Sequence, residues 1–418
     1  MTDSRARVAG AILQKICSFC PKEVKYRQLA SRILHICTTS MVIERLVSGK
    51  FLESLEPGKV LVLYGPRRSG KTFLLERLRG ELERNGRVLF LKGESRIVQE
   101  NLSTEIPERL VSYIGDAKTL VIDEAQKVPS IGLNLKLIVD SMPDLTVIAS
   151  GSASFDLAQK IGEPLTGRKK TLLLFPVSAR EIIQTFDTNH YLSTLETSLI
   201  YGGYPELFSL PSDDDRRDYL SGLIDSLLLK DILDMEQVKG AKKLFDLLTL
   251  IAFQIGREVS LTELGSALDL HKDTVARYLD LLEKSFIVKN IRGFSRNLRK
   301  EVTKNSRYYF YDNGVRNAVI NNWNPISRRD DIGMLWENYI VMERLKKQSY
   351  LNLRSNNHFW RTYDQKEIDW VEEREGKLFG YEIKWSDDSP KAPSSWIETY
   401  PGASYEVVNR DNFLDFIG

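Results

Sequence analysis

Four apolar runs of strand length mark the first half of the chain, and each ends in glycine, serine, proline or acidic residues. These runs are Val60–Tyr64, Thr119–Ile122, Leu145–Ala149 and Thr171–Phe175. The first run continues into a glycine-rich loop and then into an amphipathic stretch that ends near Gly86. Short apolar strands that alternate with helical stretches predict an α/β domain with a parallel sheet.

Helical periodicity dominates the middle of the chain. Segments 242–256, 260–270 and 271–291 predict three short helices followed by a pair of strands, with Ser260 as the N-cap of the second helix. This arrangement is typical of a winged helix-turn-helix. We expect its turn-linked helix to expose His271, Lys272, Thr274, Arg277 and Tyr278.

Basic residues are concentrated in the segment that follows. This segment contains a single acid, Glu301, and the basic residues Arg292, Arg296, Arg299, Lys300, Lys304 and Arg307. Basic and polar side chains of this kind neutralise DNA phosphates. The candidate DNA contacts are Lys272, Thr274, Arg277, Arg296, Arg299 and Lys300. A winged helix that serves only as a packing module is the alternative.

Strand-like alternation returns near the end of the chain. Segment 358–386 contains three such stretches, the last two joined by a short turn around Gly376. Successive side chains of a strand point to opposite faces, so Glu382 and Lys384 share a face. If the strands are adjacent, Asp369 of the preceding stretch converges on that pair. This face is then either a solvated salt-bridge ladder or a reaction centre.

The composition is that of a globular protein of two or three domains, with 418 residues, 42% of them hydrophobic and 28% charged. No apolar run is long enough to span a membrane, and charges interrupt the first forty residues. We therefore expect a cytoplasmic protein without a secretory signal. The net charge of +2 gives no global case for nucleic acid, so any such case depends on a local patch.

The first forty residues differ from the rest of the chain. They are rich in Lys and Arg and hold all three cysteines, Cys17, Cys20 and Cys37, with His35 beside the last. Three thiolates and an imidazole are ligand types that zinc accepts. The helical pattern around His35, however, points it and Cys37 in different directions. A zinc site therefore competes with a poorly ordered extension, or with residues translated upstream of a start at Met41.

The loop after the first strand carries the most specific pattern, G-x-x-x-x-G-K-[ST] between a strand and a helix. Its residues are Gly65, Pro66, Arg67, Arg68, Ser69, Gly70, Lys71 and Thr72. The glycines let backbone N–H groups surround phosphates, and the helix N-terminus adds partial positive charge. Lys71 would neutralise the β and γ phosphates of ATP, and Thr72 would ligate Mg²⁺.

Acidic and polar residues at later strand ends complete this predicted site. Asp123 would hold Mg²⁺ through its waters, and Glu124 would polarise the attacking water, so we expect ATP hydrolysis and not binding alone. Ser150 or Ser152 would bond the γ-phosphate or the lytic water. Arg168, after a glycine and before a strand, would reach the γ-phosphate of a neighbouring subunit.

The set of motifs GPRRSGKT, LVIDEAQ, ASGSAS, LTGRKKTLLLFPVSARE and YGGYPE resembles the bacterial and archaeal AAA-type ATPases that carry a C-terminal DUF4143 domain. The resemblance runs from about Met41 to near the C-terminus. It implies a five-stranded sheet followed by a helical lid, with Ser150 as the sensor and Arg168 as the finger. It implies for Lys71, Thr72, Asp123 and Glu124 the roles given above.

The C-terminal region resembles the PD-(D/E)xK nuclease superfamily through Asp369, Glu382 and Lys384. By this resemblance two carboxylates would hold Mg²⁺, and the lysine would activate a water for attack on a phosphodiester. Glu337, in the preceding helix, matches an additional acid of that superfamily. The proline of the pattern is absent, since Ile368 precedes Asp369. An active nuclease and a vestigial scaffold that grips DNA or partner subunits both stay open.

Five segments result from this interpretation of the α/β chain. They are a 1–40 extension, a 41–180 P-loop AAA+ core, a 181–240 helical lid, a 241–305 winged helix-turn-helix and a 306–418 DUF4143 nuclease-like domain. The expected function is Mg²⁺-dependent ATP hydrolysis by a homo-oligomer, such as a hexameric ring, coupled to binding or remodelling of duplex or branched DNA. The alternatives are a nucleotide-dependent switch that acts on partner proteins and an ATP-driven nuclease.

Overall fold

The computed structural model describes residues 42–152, 165–226, 240–295, 306–362 and 365–418. Several predicted site residues lie outside these ranges. They are the candidate zinc ligands Cys17, Cys20, His35 and Cys37 and the candidate DNA contacts Arg296, Arg299 and Lys300.

Five parallel strands form the first sheet, which confirms the predicted parallel α/β arrangement. The strands are β1 (Val60–Tyr64), β2 (Val88–Lys92), β3 (Thr119–Asp123), β4 (Thr146–Gly151) and β5 (Lys169–Leu173). Their order across the sheet is β2-β3-β4-β1-β5. Because all five run in one direction, the loops that follow β1, β3 and β4 leave the same edge of the sheet.

Helices accompany this sheet. They are α1 (Val47–Glu53), α2 (Lys71–Glu83), α3 (Arg96–Leu102), α4 (Pro107–Ile114) and α5 (Ile131–Ser141). Alternate residues of β1 belong to different cores: Leu61 and Leu63 pack in a cluster with Leu74 of α2, whereas Val62 packs in one with Leu135 of α5. Burial on both faces explains why this strand is an uninterrupted apolar run.

Seven described α-helices lie between β5 of the first sheet and β7 (Val288–Gly293) of the second, and the short strand β6 (Glu258–Val259) interrupts them after the fifth. They are α6 (Ala179–Thr185), α7 (Thr188–Ser193), α8 (Leu195–Tyr201), α9 (Asp213–Ser226), α10 (Ala241–Phe253), α11 (Leu261–Leu268) and α12 (Lys272–Lys284). Ser260 caps α11 as expected, since its side chain accepts a hydrogen bond from the Glu263 N–H at 3.4 Å. The winged helix-turn-helix stays a prediction.

The expected exposure of Tyr278 on α12 is wrong. Its residue exposure is 5%, and it packs in a core with Val275, Leu279 and Leu282. These four positions have the i, i+3, i+4, i+7 spacing of a helix face that turns toward a core. The apolar periodicity of the helix therefore decides the burial of Tyr278, although its hydroxyl is polar.

The second sheet has seven strands in the order β12-β11-β10-β9-β7-β8-β6. They are β6 (Glu258–Val259), β7 (Val288–Gly293), β8 (Ser306–Phe310), β9 (Asn356–Arg361), β10 (Glu367–Arg374), β11 (Lys377–Ile383) and β12 (Ser404–Val408). β7 pairs antiparallel with β8 and parallel with β9, so strands on both sides of the predicted 305/306 boundary share one sheet. The turn predicted around Gly376 joins β10 to β11.

Four helices complete the described fold: α13 (Asn313–Val319), α14 (Ile332–Tyr350), α15 (Ser394–Thr399) and α16 (Phe413–Ile417). α14 also contacts the segment after the first sheet. Glu343 accepts a hydrogen bond from the Ala179 N–H at 2.7 Å, and Lys346 donates to the Val177 carbonyl at 3.0 Å. Among the described residues, none of the helices combines the length and apolar character needed to cross a bilayer.

Candidate functional site

The loop between β1 and α2 adopts backbone angles that favour glycine. Gly65 has φ +153°, and a Cβ there would lie 2.2 Å from the Leu174 carbonyl oxygen. Gly70, at the start of α2, has φ +95°. Arg68 also has a positive φ of 60°. The two glycines therefore allow the tight loop that the motif predicts.

Lys71 is folded onto this loop. Its ammonium group donates hydrogen bonds to the carbonyls of Gly65 at 2.9 Å and Pro66 at 2.8 Å, and the residue is buried. The hydroxyl of Ser69 is buried in the same loop and has no hydrogen-bond partner among the residues that the structure describes. A buried hydroxyl without a partner is costly, so this atom is suited to a ligand that enters the loop.

Asp123 joins residues from two elements at the carboxyl edge of the first sheet. The Thr72 hydroxyl donates to Asp123 Oδ2 at 2.7 Å, and the Ser150 hydroxyl donates to Asp123 Oδ1. Thr72 is in the first turn of α2, while Asp123 and Ser150 are on the neighbouring strands β3 and β4. A hydroxyl and a carboxylate are ligands that Mg²⁺ accepts, so the two residues fit the ion.

Glu124 follows Asp123 in a left-handed conformation, with φ 52° and ψ 44°. Its N–H donates to the Ser150 hydroxyl at 3.2 Å. Its carboxylate accepts a hydrogen bond from Gln126 Nε2 at 2.6 Å, and the Ser152 hydroxyl lies 3.5 Å from the same oxygen. The Ser150 hydroxyl thus contacts the carboxylate of Asp123, and the Ser152 hydroxyl lies beside the carboxylate of Glu124.

Two residues of this site were missed by sequence reasoning. Gln126 orients Glu124, and its only signal was its place inside the LVIDEAQ motif. Arg45 gave no signal because it lies outside the motif, yet it donates to the Ser69 carbonyl at 2.8 Å and to Glu181 Oε1 at 3.0 Å. Burial opposes the charge of Arg45, but Glu181 and Tyr350 outweigh this effect and raise the pKa of Arg45.

Arg168 is at the opposite edge of the sheet from the glycine-rich loop. Its carbonyl accepts a hydrogen bond from the N–H of Val60, the first residue of β1, at 2.9 Å. The loop begins after Tyr64, the last residue of β1. Four residue steps along β1, roughly 13 Å, therefore separate Arg168 from the loop. The half-exposed Arg168 side chain is paired with Asp140. Arg168 therefore does not reach the nucleotide site of its own chain, and its role in a neighbouring subunit stays a prediction.

The described candidate DNA contacts lie at the start of α12. Lys272 and Arg277 are exposed and Thr274 is half-buried. His271 caps the helix, since its Nδ1 accepts from the Asp273 N–H at 3.4 Å. An exposed lysine and an exposed arginine in the first two turns of a helix are compatible with phosphate contact.

The C-terminal candidates do converge. β10 and β11 are antiparallel, and Asp369 Oδ2 accepts a hydrogen bond from the Ile383 N–H at 3.0 Å. The Lys384 ammonium lies 2.6 Å from Glu382 Oε1, while the buried Glu382 Oε2 has no hydrogen-bond partner in the described part of the chain. Burial, and then the charge of Asp369, raise the pKa of Glu382. The fourth candidate, Glu337 on α14, accepts from the Tyr309 hydroxyl at 2.7 Å.

Arg307, the last residue of the basic segment, occupies the centre of this acidic cluster, so its charge faces carboxylates and not solvent. Its guanidinium lies 2.8 Å from Glu367, 3.4 Å from Asp369 and 3.8 Å from Glu337. The exposed fraction of its side chain is 4%. Burial and the charge of Asp369 nevertheless raise the pKa of Glu337 to about 8. Within the described ranges, no group of three or more His, Cys, Asp or Glu residues is placed to hold a metal ion.

The strand, loop and helix around Lys71, together with the Thr72–Asp123 hydrogen bond, define a P-loop nucleotide-binding domain. Residues 57–183 match the family model described as AAA domain, and residues 332–416 match the domain of unknown function DUF4143. These two matches confirm the resemblance to AAA-type ATPases with a C-terminal DUF4143 domain, whereas the resemblance to nucleases stays a prediction. Residues 192–325, between them, match another domain of unknown function, DUF8612.

Relatives of similar overall length share most of the chain. An uncharacterized protein of Mycobacterium tuberculosis is 27% identical over 351 residues, which are 82% of this chain and 74% of that protein. An uncharacterized protein of Methanocaldococcus jannaschii is 21% identical over 376 residues, 85% of this chain and 81% of that protein.

Among solved structures, the FIGL-1 AAA domain in complex with ADP is 17% identical and covers 50% of this chain and 75% of its own, with a TM-score of 0.24. A TM-score of this size carries no argument about the fold.

Proposed function

We propose that the protein hydrolyses ATP with Mg²⁺. The observation that carries this proposal is the hydrogen bond of 2.7 Å between the Thr72 hydroxyl and Asp123, which joins the phosphate loop to the acidic end of β3. The partnerless hydroxyl of Ser69 supports a ligand in the same loop. A structural glycine-rich turn would need neither feature.

Each residue of the site has a distinct role in this proposal. Lys71 neutralises the β- and γ-phosphates once it exchanges its carbonyl partners for phosphate oxygens. Thr72 and Asp123 hold Mg²⁺, which when bound neutralises charge on the phosphate oxygens. Glu124 accepts the proton of the attacking water, and Ser150 contacts the γ-phosphate.

The orientation of Glu124 depends on the local backbone. Glu124 has a left-handed conformation directly after β3, and Gln126 Nε2 holds one carboxylate oxygen at 2.6 Å. A carboxylate held at one oxygen is positioned to act as a general base with the other.

We further propose that the active form is a homo-oligomer that couples hydrolysis to duplex or branched DNA. The position of Arg168, about a strand length from its own phosphate loop, supports action across a subunit boundary. The exposed Lys272 and Arg277 at the start of α12 support a DNA contact.

The test is the steady-state ATPase rate of the full chain without DNA and with single-stranded, duplex and branched DNA. We expect Lys71→Ala to lose nucleotide binding, and Glu124→Gln to retain ATP while turnover falls by roughly 100-fold or more. The exposed Lys118→Ala and Glu105→Gln are the matched controls. Parent-rate hydrolysis by Glu124→Gln would exclude its role as the base, and a rate indifferent to every DNA would exclude the coupling.

A nucleotide-dependent switch is the second proposal, and a chain of buried contacts favours it. Arg45 bonds both the Ser69 carbonyl of the loop and Glu181 of α6, while Glu343 of α14 bonds the first N–H of that helix at 2.7 Å. Nucleotide in the loop would thereby bias α14. Hydrogen exchange of α14 amides in Glu124→Gln should slow on ATP addition, and unchanged exchange would remove this proposal.

A further inference from the structure

The carboxylates singled out by the nuclease resemblance imply a divalent cation in the C-terminal domain. The same place already holds a cation that belongs to the protein. Arg307 Nη1 lies 3.4 Å from Asp369 Oδ1 and 3.8 Å from Glu337 Oε1, while Arg307 Nη2 lies 2.8 Å from Glu367 Oε2. The guanidinium thus contacts three acids from α14 and β10.

Strand pairing places Arg307 at this point. Its backbone is in β8, paired with Ile291 of β7 on one side and with Glu258 of β6 on the other. Its guanidinium lies 4.6 Å from the centre of the Phe359 ring, and its side chain is 4% exposed. An arginine held by two neighbouring strands and an aromatic ring is not a mobile surface charge.

The electrostatics explain why the acids need this arginine. Acids that are brought together away from water repel one another and lose hydration, which is costly unless a positive charge is present. Arginine keeps its charge when buried, and its planar group offers several donors to different carboxylates. Arg307 therefore supplies the compensation that a bound metal ion would otherwise supply.

The two carboxylates that the nuclease resemblance assigns to the metal are already engaged by protein donors. Asp369 accepts from Arg307 through Oδ1 at 3.4 Å and from the Ile383 N–H through Oδ2 at 3.0 Å. Glu382 Oε1 pairs with Lys384 at 2.6 Å, and Glu382 Oε2 is buried without a hydrogen-bond partner among the described residues. Mg²⁺ needs near-octahedral oxygens at about 2.0–2.1 Å. The residues present do not fit the ion.

We propose that Arg307 is the built-in counter-cation of this acidic cluster and takes the place that a divalent metal would need. The C-terminal domain accordingly binds no divalent cation at Asp369 and has no metal-dependent cleavage activity there. The cluster instead ties β8 to β10 and α14. This inference concerns the second sheet and is independent of ATP hydrolysis at the first.

The test is the number of Mn²⁺ ions bound by the nucleotide-free full chain, measured by electron paramagnetic resonance. We expect the parent protein and Asp369→Asn to bind the same number. Arg307→Met should bind one more, because removal of the guanidinium frees the carboxylates, and Arg307→Met with Asp369→Asn should lose that ion. Arg361→Met is the matched control, since Arg361 is a partly exposed arginine of β9, 4.0 Å from Glu367.

Three outcomes would overturn the proposal. The first is a parent protein that binds one Mn²⁺ more than Asp369→Asn, and this comparison stands even if Arg307→Met does not fold. The second is a folded Arg307→Met that gains no Mn²⁺, because Arg307 would then not be what excludes the ion. The third is Mn²⁺ binding by Arg307→Lys, which retains the positive charge and should remain without the ion.

Discussion

Arg45 provides a test of how a buried charge supports the phosphate loop. Its guanidinium donates to Glu181 at 3.0 Å, to the Ser69 carbonyl at 2.8 Å and to the Phe175 carbonyl at 2.5 Å. The exposed fractions of the Arg45 and Glu181 side chains are 7% and 0%. The change to test is Arg45→Met, which keeps an apolar side chain of similar length and removes the charge and all three hydrogen bonds.

The expected cost of Arg45→Met is about 3 kcal/mol in the free energy of unfolding. Removal of one partner from a buried ion pair costs roughly 3–5 kcal/mol, because the other charge is left uncompensated. Here the lower end applies, since Glu181 still accepts hydrogen bonds from the Leu46 N–H at 2.9 Å and the Ser178 N–H at 2.8 Å. The orphaned Ser69 carbonyl should also loosen the loop and weaken nucleotide binding.

The assay is urea unfolding followed by circular dichroism, with ADP affinity measured on the same proteins. Arg77→Met is the matched control, because Arg77 pairs with Glu44 at 3.4 Å while their side chains are 43% and 64% exposed. An exposed pair of this kind contributes under about 1 kcal/mol. If Arg45→Met and Arg77→Met unfold at the same urea concentration and bind ADP equally, the reasoning from burial is refuted.

Two further predictions concern assembly and the loop after α8. The Arg168→Ala protein alone should lose ATPase activity. It should regain part of that activity when it is mixed with the Lys71→Ala protein, because mixed oligomers contain sites in which both residues are intact. If no activity returns although the oligomers are shown to exchange subunits, action of Arg168 in trans is excluded. Gly202→Ala should lower the free energy of unfolding by about 2–4 kcal/mol, because its Cβ would lie 1.9 Å from Asp312 at φ +80°. Gly222→Ala, whose Cβ would meet no described atom within 4 Å, should instead stabilise its helix by about 0.5–1 kcal/mol, and equal effects would contradict the steric argument.

The nucleotide site could be predicted from sequence because its parts are local. The loop from Gly65 to Thr72 is one continuous segment, and its function depends on backbone geometry that glycine makes accessible. Asp123 could be predicted too, since an apolar strand that ends in acids delivers them to the carboxyl edge of a parallel sheet. The sequence left the two serines open; Ser150 and Ser152 both reach the site, each at a different acid.

The charges that the tertiary structure buries could not be assigned in the same way. Arg307 is a basic residue in a basic segment, and only its contacts with acids of β10 and α14 show that it faces carboxylates rather than solvent. Arg45 likewise meets Glu181 across 136 positions of the chain. A local sequence pattern indicates which side chains are charged and which backbone conformations they favour. The energy of a charge, in contrast, depends on the groups that surround it in the fold. Those surroundings are assembled from distant segments, so they were decided by the fold.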